Sequence, residues 1–81
     1  LKLEIVNADT TEAFVAALSG LGVKLPLALH DEEVGSVIDA DKHEVFVVDV
    51  HSELPNEVAE HIASWIVLAV NTCGGFKAVR P

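Results

Sequence analysis

The sequence predicts an α+β fold: a two-layer sandwich in the order β-α-β-β-β-α, with an antiparallel meander and both helices on one face. Three observations carry this. Thr10–Ser19 and Pro55–Thr72 place apolar residues at helical spacing and end at glycines. Ser36–Ala40 and Glu44–Val50 are β-rich runs on either side of Asp41-Lys42, which reads as a hairpin. Leu1–Val6 and Val23–His30 alternate in the manner of extended chain.

In the first strand Leu1, Leu3 and Ile5 share a face opposite Lys2 and Glu4. Asp9-Thr10-Thr11-Glu12 then reads as a capping box, with the Asp9 side chain taking a free N–H of the first turn while Glu12 reaches back. Phe14, Val15 and Leu18 form the apolar stripe of this helix, and Gly20 and Gly22 end it. Leu25, Leu27 and Leu29 line one face of the next strand. Pro26 points outward and has no N–H for a ladder, which places the strand at a sheet edge or Pro26 near its start. Asp31-Glu32-Glu33 is a charged turn.

In the hairpin, Lys42 stands where Gly or Asn is commoner, which implies a loop longer than two residues. Its second strand is apolar on both faces: Phe46, Val48 and Val50 on one, Val45 and Val47 on the other. Such a strand is expected to be covered on both sides. Pro55 suits the first turn of the last helix, Glu57 and Glu60 sit near the positive end of its dipole, and Gly74-Gly75 stop it. Val58, Ile62, Trp65, Ile66 and Ala69 form one apolar stripe on this helix; Ala59, Ala63, Val67 and Val70 form a second beside it. That arc is wider than one sheet face needs. Residues 1–81 read as a single domain in which 76–81 are a short C-terminal tail, with no repeat and no linker.

Hydrophobic residues make up 51% of the chain and the mean hydropathy is +0.42, which is high for a domain that must face water on most sides. A membrane is one outlet for the excess. The longest apolar stretch, Ile62–Val70, is interrupted by Ser64 and falls well short of the roughly 20 residues a span requires. A partner subunit is the other outlet. The net charge of −8 and the scattered bases Lys2, Lys24, Lys42, Lys77 and Arg80 argue against direct binding to nucleic-acid phosphates. No basic-then-apolar leader opens the chain, and the lone Cys73 has no intrachain partner, so a reducing cytoplasm is expected.

No residue set points to catalysis or to a cofactor. His43 and His51 would lie about 26 Å apart on one strand at about 3.3 Å per residue. Glu57 and His61 share a helix face but supply only half of a metal site, and His30 has no fixed companion. Asp39-Ala40-Asp41 opens like a calcium loop, yet its sixth and twelfth positions are Glu44 and Val50, where Gly and an acid are required. Cys73 falls at a helix C-terminus, whose dipole disfavours a thiolate.

Val37-Ile38-Asp39-Ala40-Asp41-Lys42-His43-Glu44-Val45, followed by Ile66-Val67-Leu68-Ala69-Val70-Asn71, resembles small uncharacterised proteins encoded by bacteriophages and prophages. Those proteins show a strand, an Asp-rich turn, a strand, and a helix ending in an apolar-Val-Asn run; Lys42 departs from their usual Gly. The resemblance implies a bacterial cytoplasmic setting and an accessory role, and it carries over no site residues.

The expected function is therefore a non-enzymatic, self-associating interaction module, a homodimer, needing no metal and no cofactor. The expected interface is the second stripe of the last helix, Ala59, Ala63, Val67 and Val70, with Trp65 or Val67 near its centre and Val45 and Val47 adding to it. Two alternatives stand beside it. One is an acidic protein that covers a basic surface of a nucleic-acid-binding partner; the other is a small metal-binding protein or enzyme.

Overall fold

The structure, a computed structural model, describes residues 10–76. They fold in the order α1 (Thr11–Gly20), β1 (Ala28–Leu29), β2 (Ser36–Ile38), β3 (Glu44–Val47) and α2 (Asn56–Cys73). The strands form an antiparallel sheet in the order β1-β2-β3, and α2 lies across β1 and β2. The α+β class and the meander are as expected. The expected strand Leu1–Val6 lies outside the described residues, as does the tail beyond Phe76.

The helix ends follow from local chemistry. The N-cap of α1 is Thr10, one residue later than the expected Asp9: its hydroxyl oxygen accepts the Ala13 N–H at 3.1 Å from an extended backbone. Phe14, Val15 and Leu18 are the part-buried residues of this helix, so the stripe is as read, although none is fully buried. Past its end, Gly22 N–H bonds the Ser19 carbonyl and Val23 N–H reaches back to Leu18 at 2.9 Å. Helix α2 closes in the same way, with Gly75 N–H on Thr72 and Phe76 N–H on Asn71. Pro55 stands just before α2 as its N-cap, rather than inside its first turn.

The expected strand Val23–His30 pairs only over Ala28–Leu29, at the edge of the sheet. Upstream the backbone is satisfied by other groups. Lys24 accepts the Ala40 N–H and gives its own N–H to the Asp39 carboxylate. The Leu27 peptide is held by the Asn71 side chain of α2, which accepts its N–H at 2.7 Å and donates to its carbonyl at 2.9 Å. One amide thus does the work of a neighbouring strand. Leu25, Leu27 and Leu29 all turn to the core, with Leu27 buried and Pro26 exposed.

In the hairpin, Val37 faces Phe46, and Ile38 faces Glu44, leaving Val45 as an extra, bulged residue. The loop spans 39–43, longer than two residues as Lys42 implied, and Lys42 adopts φ 66. Asp39 builds it. One of its carboxylate oxygens accepts the Asp41 and His43 N–H groups, each at 3.0 Å, and the other accepts the Lys24 N–H at 3.2 Å. The bond from His43 holds the Asp39 carboxyl below its ordinary value of 3.8, against an opposing push from burial and with help from the Lys24 and Asp41 bonds. A carboxyl whose pKa falls on folding adds stability above its unfolded value, and that contribution fades as the pH drops through the folded one. Thermal melts of the wild type should therefore lose stability below about pH 4. Asp39→Asn should be less stable at neutral pH and should change less on acidification. Parallel acid profiles for the two proteins would contradict this role.

β3 stops at Val47, short of the expected Val50, because Asp49 turns the chain at φ 58. Its carboxylate accepts the Glu53 and Leu54 N–H groups at 2.9 and 2.8 Å and so leads the chain into α2. The core lies between the sheet and α2: Leu27, Val37 and Ala63 are buried, with Phe46, Val48, Val67 and Val70 packed around them. Val45 and Val47 lie on the opposite side of β3 from Phe46 and remain partly open. Among the described residues, no helix is long and apolar enough to cross a membrane.

Candidate interaction surface

Helix α2 carries both apolar stripes, and the structure turns inward the second one, which was expected at the interface. Ala59 and Ala63, expected at a dimer interface, are 3% and 0% exposed and lie beneath the helix, while Val67 and Val70 pack on the core. Four of the expected interface residues are thus spent inside the subunit. The physical reason is size. Two alanine methyls let the helix approach the sheet closely enough to meet Leu27 and Val37, which a row of Val, Ile and Trp side chains would hold off.

The other stripe is the one turned outward. Val58 is 43% exposed, Ile62 40%, Trp65 63% and Ile66 37%. Of the expected interface set, Trp65 stays on the surface, and Val45 is 36% exposed on β3. The His61 ring lies one turn before Trp65, nearly parallel to the indole at 9°, with ring centroids 6.4 Å apart. Glu57, Val58, His61, Ile62 and Trp65 line a shallow hollow along this face. The acids of α2 are confined to its start: after Glu57 and Glu60, the run Ile62–Cys73 carries no acidic or basic side chain. The face is therefore apolar over most of its length and acidic at one end.

Among the described residues, one group brings potential metal ligands together: Asp39, Asp41 and His43, with ligand atoms within 4.8 Å of one another. The two aspartates lie close together in the calcium-like run of the sequence, whereas His43 joins them only because a five-residue loop folds it back beside them. The local bonds already account for this arrangement. The Asp39 carboxylate serves three backbone N–H groups, and the Asp41 carboxylate lies 3.7 Å from the Lys24 ammonium. His43 precedes β3 and His51 lies in the turn after it, so neither is on the strand where both were expected. His30 is used in the β1–β2 turn, where its Nδ1 accepts the Glu32 and Glu33 N–H groups at 3.1 Å. Cys73 is exposed at the end of α2.

The fold and the outward face of α2 define a small α+β domain with an apolar surface on its last helix. No family model matches the chain, and neither a curated protein nor a solved structure does.

Proposed function

We propose that this chain is a non-enzymatic, self-associating interaction module, an accessory protein of the bacteriophage or prophage type acting in the bacterial cytoplasm, whose contact surface is the outward face of α2. The observation that carries this reading is the exposure of Val58, Ile62, Trp65 and Ile66 on one helix face. These side chains expose on the order of 350 Å², within the range of the largest apolar patches on small proteins, which are often functional. Burying about half of that on each of two copies would contribute about 9 kcal/mol. The cost of association is about 4–15 kcal/mol, so even at the low end of that cost the balance is about −5 kcal/mol, a weak dimer of roughly submillimolar rather than obligate strength.

Sedimentation velocity tests this. The wild type should shift from monomer toward dimer as concentration rises through the high-micromolar range. Trp65→Glu places a charge in the middle of the face without touching the core, so it should remain monomeric and keep its thermal stability. A wild type that stays monomeric at high micromolar concentration would reject the proposal.

The net charge of −8 supports a second reading, in which the acidic surface covers a basic partner. Binding of that kind would be strong at low salt and lost at high salt.

A further inference from the structure

We infer that the partner on this face is a second copy of the chain, lying antiparallel across α2 about a two-fold axis level with Ala63 and Ser64. This rests on the self-association proposed above and specifies its geometry. Residue spacing on the face fits an antiparallel pair. Val58, Ile62, Trp65 and Ala69 are separated by four, three and four residues, a pattern that reads the same in both directions. An antiparallel copy centred on the middle gap sets Ile62 against the partner's Trp65, Val58 against the partner's Ala69, and Ile66, the remaining exposed residue of the face, against the partner's His61. The large indole then meets the shallow hollow beside Ile62, and the small Ala69 leaves room for Val58. The same symmetry continues outward. It places Cys73 opposite Leu54, which is 41% exposed just before the helix.

The charges on α2 favour the same orientation. Glu57 is the acid of the first turn of α2, and the last turn has no basic residue. A parallel pair in register would set Glu57 and Glu60 beside their own copies and align two helix dipoles in the same direction. An antiparallel pair seats the acidic start of one helix beside the uncharged end of the other. It also brings each positive helix end to a negative one.

The single native cysteine makes the geometry measurable. In the antiparallel pair the two Cys73 positions lie about 28 Å apart along the helix axis, at about 1.5 Å of rise per residue. In a parallel pair they would be separated by about 10 Å, the spacing between packed helices. Nitroxide labels at Cys73 in the full chain, read by pulsed dipolar spectroscopy on a sample shown by sedimentation to be dimeric, should give a distance on the order of 30 Å. Leu54→Cys, with the native Cys73 retained, should yield a disulfide-linked dimer on mild oxidation, because the new thiol meets Cys73 of the other copy. A short Cys73 distance, or a dimer in which Leu54→Cys fails to cross-link, overturns the antiparallel arrangement while leaving self-association intact. A labelled and an unlabelled chain that both sediment as monomers overturn the proposed function itself.

Discussion

Replacing Gly35 by alanine should be among the most damaging single substitutions in the domain, lowering stability by about 2–4 kcal/mol. Two independent costs meet there. Gly35 sits at φ +78, where an L side chain is strained. A Cβ built on its backbone falls 2.5 Å from the Val48 carbonyl oxygen, a backbone atom that cannot swing away. Gly35 also accepts the Val48 N–H at 2.8 Å and donates to the Glu60 carboxylate at 3.3 Å, so moving the chain to relieve the clash disturbs the sheet end and its tie to α2. A domain of this length has about 4–12 kcal/mol of total stability, so a melting point lower by about 10–20 °C is expected. Gly20→Ala is the control. It lies in the last turn of α1 with nothing within 4 Å of the added methyl, and its melting point should stay within a few degrees of the wild type. Equal melting points for Gly35→Ala and Gly20→Ala would refute the close approach at Val48.

Asn71→Leu should cost about 2–4 kcal/mol, read as a lower urea midpoint with an unchanged slope. The Asn71 amide joins α2 to the Leu27 peptide through both of its polar atoms. Leucine fills similar space but leaves the N–H and carbonyl of a buried residue without partners, and each orphaned group costs about 1–3 kcal/mol. Asn71→Asp keeps the acceptor for the Leu27 N–H but sets a negative charge against the Leu27 carbonyl, so it should also destabilise. Hydrogen exchange supplies a local readout: the Leu27 amide should lose protection more than the Val37 amide in the centre of the sheet. An Asn71→Leu protein with wild-type stability and a protected Leu27 amide would show that the pair contributes nothing.

Elements whose cause is local were legible in advance. The span of α2 follows from Pro55, the run of helical spacing and Gly74-Gly75; the end of α1 follows from Gly20 and Gly22. The hairpin followed from two β-rich runs, and its longer loop from Lys42, a residue that resists tight hairpin turns. What escaped notice came from side chains acting over distance. Asn71 reaches Leu27 across 44 positions, and Asp39 reaches Lys24 across 15. These bonds replace strand pairing over the stretch that alternation had marked as a longer strand.

The candidate surface shows the same division in one helix. Periodicity alone determined that Ala59, Ala63, Val67 and Val70 share one side of α2, and that Val58, Ile62, Trp65 and Ile66 share another. The sequence therefore established an amphipathic helix with more apolar arc than one sheet requires. Only the tertiary structure decided which side is core. Helical spacing fixes the angle between two stripes but carries no information about what each one meets. That choice depends on whether a stripe fits the surface opposite it. β2 and the stretch before β1 present Val37 and Leu27, already large enough to fill the layer, so the helix settles on its alanines and turns Trp65 to solvent.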